Sequence, residues 1–224
     1  MLQVLGMRRS KHQWMLLQLA DSAFPAGAFA HSGGLEAAWQ LGRVQNGTDF
    51  RRFLESQRLQ LTRSQLPFVH AAYIDPSNLV TLDAECHALL NSPVARRASI
   101  AQGQAFAMAA AKTFADRELV TLASRFRLRE LHGHWSPAFG ALSAALGLDV
   151  EEAAMLFLFL NLRGIISAAV RLGIVGPFES QAIQHEILAG ANGIELGSEP
   201  AQTSPILDLW QGLQDRLYSR LFQT

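Results

Sequence analysis

AAMLFLFLNLRGIISAAVRLGIV, residues 153–175, is the most hydrophobic stretch of this 224-residue chain. Its reading decides between a membrane span and a core helix. It is long enough to cross a bilayer, but Arg163 and Arg171 would each cost about 2.5–3.5 kcal/mol near the bilayer centre. Asn161 adds a further polar group. The stretch therefore reads as a buried helix of a globular protein. Asp149 and Glu152, just ahead of it, stand at the spacing of a capping box.

Outward from this helix the pattern stays helical. Upstream, Ser136-Pro137 opens AFGALSAALG and Gly147 closes it, while ELVTLASRFRLREL forms another amphipathic run. Ser92-Pro93 gives an N-cap and a first-turn proline to a helix reaching about Phe114. Thr48 is expected to cap DFRRFLESQRLQL, and Pro67 to kink or restart that helix. Trp14 to Leu19 marks a short first helix, and LEAAWQLG a second that stops at Gly42. Downstream, Pro177 opens FESQAIQHEILAG, and Ser204-Pro205 opens a last helix expected over 205–222. On that helix Trp210, Leu213, Leu217 and Leu221 share one side. No run alternates with a period of two, so strands are not expected. The expected fold is an all-α, single-domain irregular bundle of about eight to ten helices covering 1–224. A flexible linker over 191–204 is expected before the last helix.

Composition narrows the function. Nineteen acidic and nineteen basic residues cancel, with 49% hydrophobic and 17% charged residues. No net field draws the chain to nucleic acid or to an anionic membrane, so neither is expected as a partner. A single cysteine, Cys86, excludes an internal disulfide and fits a reducing, cytoplasmic setting. In MLQVLGMRRSKHQW the charges follow a very short apolar run, the wrong order for a secretory signal.

The densest turn chemistry lies in DSAFPAGAFAHSGGLEAAW, residues 21–39. A phosphate-binding loop is disfavoured, because no lysine follows the glycines and Glu36 stands in the first turn of the next helix. Ala30-His31-Ser32-Gly33-Gly34 matches an A-x-S-x-G nucleophile elbow, which would make Ser32 the nucleophile of a serine hydrolase. That chemistry needs a strand before the turn and a sheet to carry the triad. The third reading is a rigid connector: Pro25 and the glycines set the backbone, Ser32 caps the helix, and the loop offers itself to another protein.

Three further groups bear on function. Arg163 and Arg171 lie eight residues apart on one face of the apolar helix, with Ser167 midway, which suits a dimer or partner contact. His132 and His134 are weak candidates for a zinc or nickel site, since two imidazoles are few; a stand-alone carrier of either metal is the alternative they carry. Glu85-Cys86-His87 cannot converge on one ion, because consecutive helical residues point about 100° apart.

Four ordered motifs carry a resemblance. Pro25 to Glu36 (P-x-G-x-F-x-x-S-x-G-L-E), His134 to Gly140 (HWSPAFG), Asn161 to Gly173 (NLRGIISAAVRLG) and Leu217 to Phe222 (LYSRLF) resemble, in this order, motifs of the urease accessory protein UreF family. The resemblance spans essentially the whole chain. It implies an all-α chaperone that is not an enzyme and that forms a homodimer. It implies a UreD/UreH-type scaffold, the GTPase UreG and apo-urease as partners, with no cofactor of its own and nickel handled only in transit. With it, Ser32, Gly34, Leu35 and Glu36 are expected to form an N-terminal contact surface, with Glu36 able to steer a passing cation. Arg163, Ser167 and Arg171 are expected at dimer or GTPase contacts, and Tyr218 and Arg220 at the scaffold.

Overall fold

A computed structural model describes residues 12–27, 30–190 and 196–223. The protein is all-α, and no strand occurs among the described residues. Residues 12–20 are helical (α1), followed by α2 (Leu35–Gln40), α3 (Gly47–Gln60), α4 (Leu66–Ile74) and α5 (Leu79–Leu89). Then come α6 (Pro93–Phe114), α7 (Arg117–Arg127), α8 (Trp135–Ala145), α9 (Val150–Arg171), α10 (Pro177–Ala189) and α11 (Pro205–Leu213).

The 153–175 stretch falls largely within α9, whose Asp149 and Glu152 close the expected capping box. It has the length and apolarity to cross a membrane. Here it is instead a core helix: Phe157, Leu158, Leu162, Ala168 and Ala169 are all buried. Rings of α6, α8 and α9 meet at its centre. Phe106, Trp135, Phe139 and Phe157 have centroids 4.9 to 5.7 Å apart where they touch. Burying four such rings supplies much of the apolar driving force. Small residues set the closest approaches. A Cβ on Gly140 of α8 would lie 2.1 Å from the Val69 carbonyl oxygen of α4, and one on Gly103 of α6 would lie 2.2 Å from that of Gly133.

Local chemistry sets both ends of α3. The cap of α3 is Asn46, not Thr48: its side-chain oxygen accepts from the Thr48 and Asp49 amides. Pro67 does restart a helix, and the segment before it, Leu61–Gln65, widens into a π-turn. Proline has no N–H to donate and its ring crowds the carbonyl four residues back, so the ladder opens there.

The last helix stops at Leu213, gives one 3-10 turn (Gln214–Arg216), and runs on to residue 223 without helix instead of continuing to 222. The amides of Leu221 and Phe222 find side-chain acceptors elsewhere in the fold, which removes the reason to stay helical. The expected linker is also tied down where described. Ala201 N–H donates to the Arg63 carbonyl at 2.9 Å, and Gln60 Oε1 accepts from Thr203 N, Thr203 Oγ1 and Ser204 N. Residues 191–195 of that expectation lie outside the described residues.

Candidate functional site

The turn before α2 is a seat for the C-terminal tail. Gly33 and Gly34 take φ of +64° and +87°, a region that resists side chains. Gly34 has a second reason to be glycine: a Cβ there would lie 3.0 Å from the Gln211 amide nitrogen of α11. Ser32 Oγ accepts the Glu36 amide at 3.4 Å, and the Gly33 carbonyl accepts from Gln57 Nε2 at 2.7 Å. Glu36 is 2% exposed. Its Oε1 accepts the Leu221 amide at 2.6 Å, and its Oε2 accepts Gln214 Nε2 at 2.6 Å and the Phe222 amide at 3.2 Å. Gln40 Nε2 donates to the Ser219 carbonyl, and the Gln223 amide donates to the Ala30 carbonyl, each at 2.9 Å. Residues about 180 apart in sequence are thus fastened together by one buried carboxyl group.

This corrects the expected N-terminal contact surface. Ser32, Gly34, Leu35 and Glu36 are all buried, Gly34 against α11 and Glu36 against the chain's own tail. The physical reason is that α2 lies beneath α11 and the tail, which cover the face that the sequence reading left open. The hydrolase alternative loses its context as well. Ser32 is fully buried, its oxygen accepts the Glu36 amide although the cap of α2 is Gly34 and not Ser32 as expected, and no strand feeds the turn among the described residues. Glu36 is likewise shut away from a passing cation.

On α9 the structure brings Arg163, Ser167 and Arg171 together along one open groove. It is bounded by the 22–27 turn on one side and by Ser180 and Gln184 of α10 on the other, with a volume of about 700 Å³. Arg163 Nη1 donates to the Ala20 carbonyl, and its guanidinium lies 5.2 Å from the Phe159 ring centroid. Arg171 Nε donates to the Ser167 carbonyl at 3.4 Å, with its guanidinium 4.2 Å from the Phe222 ring centroid. Burial pulls both guanidinium groups below their ordinary value, and Asp21 partly restores that of Arg163. Arginine starts so high that both heads stay cationic. Phe222 belongs to the tail held by Glu36, so the groove and the tail seat are one continuous feature.

Tyr218 is fully exposed on that tail. Arg220 pairs with Asp215 at 3.5 Å, and Asp215 also pairs with Arg97 at 2.6 Å. These pairs are wet and add little to stability. They do orient the tail's outer face.

The third feature is a histidine cluster of which only His132 and His134 were expected. Asp83 on α5 gathers the 132–134 turn, accepting from the amides of His132 (2.6 Å), Gly133 (3.1 Å) and His134 (2.7 Å). His87, one turn further along α5, stacks on His132 with centroids 4.1 Å apart, and its Nδ1 lies 3.0 Å from His134 Nε2. Ser99 Oγ lies 3.1 Å from His134 Nδ1. His134 is pushed down to about 3, first by burial and then by His87, His132 and Arg96. His87 is lowered too, first by burial and then by His132 and Arg96, with Asp83 acting the other way. The rings are stacked and hydrogen-bonded to one another. Among the described residues no group of three His, Cys, Asp or Glu side chains is arranged to hold a metal ion. His132 and His134 gain a third imidazole, that of His87, stacked on the first and hydrogen-bonded to the second. Sequence reasoning missed Asp83, His87 and Gln214, whose roles depend on groups tens to nearly two hundred residues away. The helical spacing of Leu82, Asp83 and Cys86, which puts Asp83 beside core positions, was the one available signal.

A family model described as UreF matches residues 44–188. The chain is 38% identical to urease accessory protein F of Oryza sativa subsp. indica, over 94% of this chain and 85% of the relative. It is 36% identical to urease accessory protein F of Arabidopsis thaliana, over 98% and 95% respectively. It is 31% identical to urease accessory protein UreF of Corynebacterium glutamicum (strain R), over 76% of each.

Proposed function

The chain belongs to the UreF family of urease accessory proteins, and on that premise we propose that it serves urease maturation as an adaptor. It joins a UreD/UreH-type scaffold to the GTPase UreG so that nickel enters apo-urease. It works as a homodimer in the cytoplasm, carries no cofactor, and handles nickel only in transit. It contributes surfaces, not reacting groups.

The observation that carries this reading is the likeness to proteins named urease accessory protein F along nearly the whole chain. The groove on α9 supports it physically. Two cationic heads with packed stems, a small residue between them and an open floor suit a protein partner. We assign Arg163, Ser167 and Arg171 to the dimer or GTPase contact, and Tyr218 and Arg220 to the scaffold. Glu36 and Gly34 act one step back, by holding the tail that presents Tyr218 and Arg220.

The test is co-purification of the chain with the scaffold, the GTPase and apo-urease expressed together. Wild type is expected to bring down all three. Arg163→Ala with Arg171→Ala is expected to lose the GTPase or the dimer while the helical circular dichroism stays unchanged. Failure of wild type to capture any of the three overturns the function. Normal assembly by the folded double variant overturns the site assignment.

A further inference from the structure

Between the end of α3, α6, α9 and α11 lies a cavity of about 150 Å³ that the adaptor role does not use. Side-chain amides crowd its lining: Gln57, Gln60, Gln65, Gln102, Asn161 and Gln211. The rings of Trp135 and Phe157 give it apolar walls. The π-turn contributes to this lining through Leu61 and Gln65, with Gln60 immediately before it.

Five of the six amides are engaged in holding the fold. Gln57 and Gln211 donate to the Gly33 carbonyl, Gln60 accepts from 203–204, and Gln65 Oε1 accepts from Ser136 Oγ. Asn161 accepts from Trp135 Nε1 and donates to the Phe157 carbonyl. Gln102 differs. It is 9% exposed, lines the cavity, and its side chain makes no hydrogen bond with any of the described residues. Unlike Ser143 Oγ and Gln214 Oε1, which are buried without a partner, the polar atoms of Gln102 are not shut off from solvent, so the amide is open to whatever occupies the cavity.

Charge limits what that occupant is. The lining contains one carboxyl group, Asp208, and one imidazole, His31. Burial favours the neutral form of each, raising Asp208 and lowering His31. An anion would meet no cationic partner, and a divalent cation would find one acid and a set of amides. A space of this size elsewhere accommodates a benzene-sized guest, or about five waters at roughly 30 Å³ each.

We propose that this cavity is a binding site for a small uncharged molecule with adjacent hydrogen-bond donor and acceptor, such as a primary amide, read by the Gln102 side chain. A primary amide pairs with a glutamine amide through two parallel hydrogen bonds, and its carbon end rests on Trp135 and Phe157.

The test uses the full-length ¹⁵N-labelled chain, with acetamide as the probe and acetate and acetamidinium as charged isosteres. The side-chain NH₂ resonances of Gln102 are followed by NMR. Acetamide is expected to shift them saturably with a midpoint in the millimolar range, and both ions to bind at least about tenfold more weakly. Gln102→Leu is expected to remove acetamide binding with the remaining spectrum unchanged. If that variant fails to fold, Gln102→Met takes its place, and the wild-type selectivity decides the charge argument by itself. Absence of a saturable shift at about 100 mM acetamide, far above the expected midpoint, means that the cavity holds only water and overturns the proposal. Equal binding of either ion, or undiminished acetamide binding by a folded Gln102 variant, overturns it too.

Discussion

Glu36→Gln isolates the contact on which the arrangement of the tail depends. The substitution keeps the volume at a position that is 2% exposed. It replaces one acceptor oxygen with an NH₂ group. Both oxygens of Glu36 are in use: one takes the Leu221 amide at 2.6 Å, the other takes Gln214 Nε2 at 2.6 Å and the Phe222 amide at 3.2 Å. Whichever way the new amide turns, a donor faces at least one donor. Leaving one or two buried donors without an acceptor costs about 1–3 kcal/mol each. Local release of the tail limits the loss, because the freed amides then reach water. The expected result is a fall of about 2–4 kcal/mol in the free energy of opening the tail, or roughly 30-fold to 1000-fold faster exchange at the Leu221 and Phe222 amides. Hydrogen exchange by NMR measures this directly, and faster tryptic cleavage after Arg216 and Arg220 is an independent readout. Amide exchange at both positions within about threefold of wild type, a difference under 1 kcal/mol, would refute the reasoning. It would mean that the tail is held by Phe222 packing and the Gln40 and Ala30 contacts alone.

The remaining expectations are simpler. Gly34→Ala combines a φ of +87° with a Cβ 3.0 Å from the Gln211 amide, whereas Gly147→Ala has a φ of +72° and nothing within 4 Å. The first should lose about 2–4 kcal/mol and the second about 1–2, so thermal unfolding that ranks them equally would remove the close approach of α11 as a cause. Gly140→Ala drives a Cβ into the Val69 carbonyl and should separate α8 from α4 at a cost of about 1–3 kcal/mol. An unchanged urea midpoint would contradict it. His134, lowered to about 3, binds its proton less readily in the folded state than in the unfolded one. Its effect is absent above about pH 6.5 and grows as pH falls toward 3, reaching about 2 kcal/mol of destabilisation at pH 5. An imidazole resonance of His134 that titrates in the native protein with a midpoint at or above about pH 6.5 would show the sign to be wrong.

Much of the architecture was written locally. The apolar run with Asp149 and Glu152 in front of it specifies α9, because helical periodicity and capping are read within a few residues. Ser92-Pro93 and Pro177 open helices for the same reason. The pairing of Arg163 with Arg171 also follows from spacing on one helix, so the groove's cationic edge was legible. What the sequence could not show is where a side chain ends up when its partners lie far along the chain. Glu36 read as an exposed first-turn acid, and became a buried anchor because the tail returns to it across about 185 residues. His132 and His134 read as an incomplete metal pair; Asp83 and His87, brought in by α5, made them a stacked, hydrogen-bonded cluster. Helix type and helix ends are set by backbone chemistry over one or two turns. Burial, and with it the roles of Glu36, Asp83 and His134, is set by which elements come to lie on top of one another.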